Sequence, residues 1–213
     1  MSTKNPYMAK KDDDQFPQHI AEALNSIEEL KLSGEHEKSI LEAEKLLFSD
    51  PNCVEALEEI ADNYVSLDKY DKAEKACHHA LKLNEKSYTA KYILGFIHSQ
   101  KQEWPKAINY LKSSNTLHSN NPEILRCLGW ALFNSNKRTQ GVVILERALN
   151  LDPDNALTLC DLGICYMQMK NFEKSVELLK KAMQLDPDNK RIKECFTAAS
   201  SFRDRFSGMR SKK

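Results

Sequence analysis

Glycine and proline are scarce in this chain of 213 residues, with 6 and 7 copies. That excludes collagen-like repeats and long Gly/Pro-rich tracts. No apolar run approaches the ~18 residues that a membrane-spanning helix needs. Residues 1–19 are polar, carry Asp12, Asp13 and Asp14, and lack the apolar stretch of a secretory signal. The cysteines Cys53, Cys77, Cys127, Cys160, Cys165 and Cys195 are dispersed, with no CxxC pair. They read as reduced thiols and not as a disulfide framework, and the expected compartment is cytoplasmic. Neither sign of charge dominates: Lys plus Arg is 31 and Asp plus Glu is 31. A zero balance removes the usual electrostatic case for nucleic acid or an acidic membrane as the main partner.

Catalytic equipment is also missing. There is no Gly-rich phosphate loop, and no histidine pair has the i,i+4 spacing of helical metal ligands. His78 and His79 are neighbours, about 100° apart on a helix, and Asp12–Asp14 is too short for a cation site. No enzyme activity, cofactor or metal is expected. What the chain does have is 41% hydrophobic residues, enough for a sizeable core.

Those residues follow a period. Pro153 and Pro187 lie one step apart, and Pro51 lies three such steps before Pro153. Leu-Asp-Pro-Asp-Asn occurs at Leu151–Asn155 and again, one step on, at Leu185–Asn189. Phased on the prolines, the chain divides without insertion into the units 20–53, 54–87, 88–121, 122–155 and 156–189. Within a unit the apolar spacing is helical. Leu159, Leu162, Gly163 and Tyr166 mark one helix of the last unit, and Ser175, Leu179 and Ala182 mark a second, with a break near Lys170-Asn171. Small residues take the same places elsewhere: Ala61, Gly95 and Gly129 on the first helix, Ala73, Ala107 and Gly141 on the second. Helices interlock closely only where a side chain is small. The first unit is loosest, with Ile27 and Leu46 where other units are small. Pro105 and Pro122 fall at helix starts, and Gly34 and Asn136 fall in the inter-helix turns.

A helix-turn-helix unit of about 34 residues with this pattern, L-x2-L-G-x2-Y followed by A and P stations, resembles the tetratricopeptide repeat. The departures are the lack of Trp at the first aromatic station, and Glu85 and Ser119 in place of proline. The resemblance implies an all-α, right-handed superhelical solenoid of about five repeats. A C-terminal capping helix is expected over 190–206, with Ile192, Phe196, Ala199, Phe202 and Phe206 on one face to cover the end of the stack. Residues 1–19 are expected to be a disordered polar segment and 207–213 a basic tail.

The resemblance also implies a concave groove lined by the first helix of each unit, where peptides bind. Mapped onto the family's groove stations, the candidates are Glu58 and Asp62 in the second unit and Tyr92 and Phe96 in the third. The fourth offers Arg126, Trp130 and Phe133, and the fifth Cys160, Ile164 and Met167. Together they suggest an apolar, aromatic strip over units three to five and an acidic mouth formed by Glu28, Glu55, Glu58 and Asp62. Exposed apolar strips mark interaction sites, and aromatic anchors dominate binding energy. The competing reading is that these side chains pack between neighbouring helices. The Lys/Arg/Asn clamp with which some family members hold an acidic C-terminal tail is absent in every frame of three units.

The expected function is therefore a non-catalytic scaffold or adaptor that binds a protein or peptide, apolar with some basic residues, in its groove. One alternative is a cytoplasmic chaperone for exported or aggregation-prone clients. Another is an RNA-binding helical repeat, against which the acidic first two units argue. No catalytic domain is expected beyond the cap. Residues 1–100 carry 12 basic and 19 acidic side chains, and 101–213 carry 19 and 12, a gradient able to steer a partner. Self-association through Phe202 and Phe206 of the last helix is a further expectation.

Overall fold

The structure is a computed structural model that describes residues 17–210. The Asp12–Asp14 run and residues 211–213 lie outside the described residues. Eleven α-helices and no strand occur among the described residues: α1 Gln18–Leu32, α2 His36–Ser49, α3 Val54–Ser66, α4 Tyr70–Leu83, α5 Tyr88–Gln100, α6 Trp104–Leu117, α7 Pro122–Asn134, α8 Arg138–Leu151, α9 Ala156–Gln168, α10 Phe172–Leu185 and α11 Lys190–Arg210. From α3 onward the odd-numbered helices start one repeat apart, at Val54, Tyr88, Pro122, Ala156 and Lys190.

Local chemistry sets these boundaries. The residue before each such start is Cys53, Ser87, Asn121, Asn155 or Asn189. Asn121 Oδ1 accepts the amides of Glu123 and Ile124 at 3.0 and 3.1 Å, Asn155 Oδ1 that of Thr158 at 2.9 Å, and Ser87 Oγ that of Ala90 at 2.9 Å. Such caps satisfy amides that a helix leaves open at its start. Inside each pair the chain turns through one left-handed residue: Gly34 at φ 80°, Asp68 at 55°, Gln102 at 57°, Asn136 at 69° and Lys170 at 63°. The following amide then reaches back over more than a full turn, from Glu35 to Leu30 O at 2.9 Å and from Asn171 to Tyr166 O at 2.9 Å, which closes the helix.

Two differences from the sequence reading appear at the ends. Helix α1 starts at Gln18, just before Ile20, because Pro17 O accepts the amides of Ile20 and Ala21 at 2.9 and 3.2 Å. Helix α11 runs to Arg210 and takes in 207–210, since no proline stops it.

The described residues pack as two compact units, one ending at Ser119 and the other starting at Asn120. In the first, α1 to α6 pack in succession, and α3 also touches α1 and α5. Ile27, Ala43 and Ala56 are sealed in its core with Ile20, Leu24 and Ile40. In the second, α7 to α11 follow the same rule, α9 touching both α7 and α11. Ile192 and Ala199 of α11 are buried against Leu159 and Leu179. Phe202 and Phe206 stack on Phe172 of α10, with ring centroids 5.8 and 5.0 Å apart, and stay nearly half exposed.

The glycine stations are true contacts. A Cβ on Gly163 would meet only the Leu179 side chain, at 2.5 Å, whereas one on Gly141 would meet backbone, Phe133 N at 2.6 Å and Gly129 O at 2.7 Å. A leucine side chain can shift through its torsions, at some cost in a packed core; backbone cannot. Gly141→Ala is expected to destabilise by about 2–3 kcal/mol, and Gly163→Ala by clearly less, in urea unfolding. Equal losses would mean that the approach of α7 and α8 is not set by backbone contact. The left-handed turns predict the opposite sign. Lys170→Gly and Gln102→Gly are expected to stabilise by about 0.5–1 kcal/mol, the relief of left-handed strain less the added chain entropy. An unchanged or lower urea midpoint would contradict this.

Candidate functional site

The odd-numbered helices α3, α5, α7 and α9 carry all of the predicted site residues. In the first unit, helical periodicity puts Glu58, Glu59 and Asp62 of α3 near the same flank, and α1 supplies a cation to it. Lys31 Nζ lies 2.5 Å from Glu59 Oε2 and 3.2 Å from Asp62 Oδ2. Lys31 and Glu59 are both buried. Burial pulls the Lys31 pKa down, but the attraction of Glu59 and Asp62 outweighs it and holds the ammonium above its ordinary value. Beside this pair Asn63 Nδ2 donates to Ser39 Oγ at 2.9 Å and to Glu59 O at 2.8 Å. Glu58 Oε1 accepts from Ser87 Oγ at 2.6 Å, at the start of α5. The acidic mouth is thus partly spent on internal contacts. On α5 Tyr92 is buried and Phe96 partly exposed.

In the second unit Arg126 of α7 is the centre. Its Nε donates to Glu123 Oε2 at 2.8 Å and its Nη1 to Asp161 Oδ2 of α9 at 2.8 Å. A further contact joins Nη2 to Glu123 Oε1. Burial opposes the Arg126 charge, yet Cys127, Glu123 and Asp161 together keep it protonated, well above the ordinary value. Burial pushes the Asp161 carboxyl up, against the pull of Arg126 and Arg191. Arg191 of α11 reaches Asp161 Oδ1 at 3.4 Å, and its guanidinium lies 5.8 Å from the Trp130 ring centre.

The apolar candidates divide. Phe133 is 2% exposed and packs with Val142, Leu145, Leu162 and Cys165, so it is a core side chain. Cys160 and Ile164 are buried too. Trp130 and Met167 keep part of their surface open. Leu157 and Met169, at either end of α9, are more exposed than any predicted member of the strip.

The sequence reading missed the ion pairs. The available signal was an acid at the sixth position of the repeat, Glu59 and Asp161, where Ile93 and Cys127 stand in the units between. A buried carboxylate needs a cation on an adjacent helix, which is what Lys31 and Arg126 supply. Among the described residues no group of His, Cys, Asp and Glu could hold a metal, and no helix is long and apolar enough to cross a membrane.

A family model described as the tetratricopeptide repeat protein 21 C-terminal ARM domain matches residues 52–159, just over half of the chain. A second, the tetratricopeptide repeat itself, matches 156–189. The chain belongs to the tetratricopeptide-repeat family. It is 26% identical over 145 residues to the BBSome complex member BBS4 of Bos taurus, covering 68% of this chain and 28% of that protein. It is 25% identical over 138 residues to the Mus musculus protein, covering 65% and 26%. The chain therefore spans about a quarter of the length of the curated relatives it matches. Among solved structures, the Cut9–Hcn1 hetero-tetramer of APC/C gives a TM-score of 0.78 at 20% identity over 88% of this chain and 37% of that one. TTC0263, a thermophilic TPR protein of Thermus thermophilus, gives 0.72 at 16% over 84% and 97%. YrrB, a TPR protein with an unusual peptide-binding site, gives 0.58 at 23% over 81% and 89%. At these identities the likeness is one of fold, a repeat solenoid.

The buried pair of the first tetratricopeptide helices yields a test. Lys31→Met leaves Glu59 buried without its cation and is expected to cost about 3–5 kcal/mol, while Lys31→Met/Glu59→Leu recovers most of the loss. Because the Lys31 pKa is raised, the contribution of the wild-type pair is complete below pH 10.5 and fades as pH climbs through the raised value. Urea unfolding at pH 8 and pH 11 measures both effects. A single variant as stable as the double would contradict the arrangement.

Proposed function

We propose that this chain is a non-catalytic scaffold that binds other proteins through the inner faces of its odd-numbered helices. The observation that carries the proposal is Trp130. A large aromatic ring stays partly open on α7, while the charges beside it, the half-buried Arg126 and the buried Glu123 and Asp161, are engaged with one another. Such a surface offers apolar area, not net charge, to a partner.

Two comparisons support the same reading. The tetratricopeptide family implies protein recognition by stacked helix pairs, and the curated relatives bear the name of a complex member, BBS4. In the second unit the partner contacts the exposed parts of Trp130 and Met167, with Arg126, Cys160 and Ile164 beneath them. In the first unit Phe96 is the apolar contact, beside Tyr92, Glu58 and Asp62. The partner presents apolar side chains, with basic ones toward Glu58. The six free thiols fit a reducing, cytoplasmic setting.

The test is affinity capture from native lysate with wild type, Trp130→Ala and Phe96→Ala, each checked for native circular dichroism. A partner recovered by the wild type is expected to bind Trp130→Ala roughly 30-fold more weakly, the loss of a hot-spot side chain. An unchanged set of partners on both folded variants would sink the proposal.

A further inference from the structure

Two cysteines of the second unit meet across its last pair of neighbouring inner helices. Cys160 lies on α9 and Cys195 on α11, helices that pack directly. Both belong to the cluster of Leu159, Ile164, Ile192 and Ala199; Cys160 is sealed within it and Cys195 packs against it, half-buried. The repeat explains the meeting. Advanced by one repeat, Arg126 becomes Cys160 and Asp161 becomes Cys195. The earlier pair is in contact at 2.8 Å; at the later one Cys160 and Cys195 pack in one apolar cluster, near enough to act on each other electrostatically. Where the one junction is held by an ion pair, the next holds two thiols.

We propose that Cys160 and Cys195 form a redox site whose disulfide locks α11 onto α9. Cys195 is the one cysteine of the six that is not buried, so its sulfur meets an oxidant first. Burial and the neighbouring Asp161 push the Cys160 thiol up to about 12, so it acts second and slowly. With a low-molecular-weight disulfide such as oxidised glutathione, the Cys195 thiolate attacks one sulfur and releases one glutathione thiolate. The result is a mixed disulfide at Cys195. Cys160 then attacks Cys195 Sγ, its proton passing to the departing glutathione thiolate, which leaves as the second glutathione thiol. Two protein thiols lose two electrons, and one glutathione disulfide becomes two thiols. The new bond closes a loop that contains all of α10. Cross-linking a loop of that length removes freedom from the unfolded chain and stabilises the folded one. In its reduced form the last helix is held by packing and by the long contacts of Arg191; in its oxidised form it is also tied covalently to its neighbour. This proposal is independent of the groove reading, since neither thiol needs a partner protein.

The experiment uses the full chain. Wild type, Cys195→Ser and Cys160→Ser are incubated in glutathione buffers of graded redox ratio, alkylated and peptide-mapped. Wild type is expected to give one intrachain linkage between the Cys160 and Cys195 peptides. Cys195→Ser is expected to give none, and Cys160→Ser to stop at glutathione on Cys195. Oxidised wild type is expected to melt on the order of 10 °C above the reduced form. The proposal is overturned if native wild type stops at the mixed disulfide, if the linkage maps to other cysteines, or if the melting temperature fails to rise. The wild-type map alone decides the linkage, even where a variant folds poorly.

Discussion

Everything in this protein rests on how closely the two helices of a pair approach. The eighth and twenty-fourth positions of the repeat face each other there, and their sizes compensate. In the third, fourth and fifth pairs a glycine stands at the eighth position, Gly95, Gly129 and Gly163, and a leucine at the twenty-fourth, Leu111, Leu145 and Leu179. Each leucine comes so near that a Cβ on its glycine would lie 2.5–2.7 Å from the leucine Cγ. In the first pair the order reverses, Ile27 facing the position of Ala43; in the second both residues are small, Ala61 and Cys77. The apparent looseness of the first unit is thus one volume moved to the other helix, and Ile27 is sealed in the core. Volume-conserving exchanges are those that close packing tolerates best. The twentieth position adds a polar link where a hydroxyl fits: Ser39 Oγ donates to Ile27 O at 2.9 Å and Ser175 Oγ to Gly163 O at 2.7 Å.

Because that contact recurs in phase, the architecture was legible from residue order alone. The prolines set the phase, the small stations located the pair contacts, and Pro105 and Pro122 marked helix starts. The left-handed turns were only half legible. Gly34 and Asn136 announced themselves by residue type, but Asp68, Gln102 and Lys170 adopt the same conformation because the helices on either side fix it. Tertiary geometry there overrides local preference.

The candidate site was less legible, for a different physical reason. A position in the repeat says which helix and turn a side chain occupies, but not whether its outer end meets solvent or a neighbour. Tyr92 and Phe133 are buried. Lys31 of the first repeat found Glu59 of the second, and Arg126 of the fourth found Asp161 of the fifth. Read singly, Lys31 and Arg126 look like groove residues, while Glu59 and Asp161 stand at another position of the repeat. Helix α11 held a further surprise. Lys190 starts it in the phase of an inner helix, so it does more than cover an end: it brings Arg191 over Trp130 and Cys195 against Cys160.

The two arginines of the second unit show how stability and recognition can share one face. Arg126 is mostly covered, its side chain 13% exposed, and its guanidinium bonds both Glu123 and Asp161. Withdrawing it would leave two carboxylates without compensation, a cost of several kcal/mol, so no partner displaces it. Arg191 sits differently. Its side chain is 58% exposed, its bond to Asp161 is long at 3.4 Å, and its contact with Trp130 is a cation–π approach at 5.8 Å. Contacts of that kind contribute about 0.5–1 kcal/mol when exposed, little enough to exchange for an incoming side chain. Asp161 keeps its charge partner in Arg126 whether or not Arg191 stays. A partner that covers Trp130 therefore breaks only what is weak, and the ion pair beneath keeps the inner helices in register while it does so.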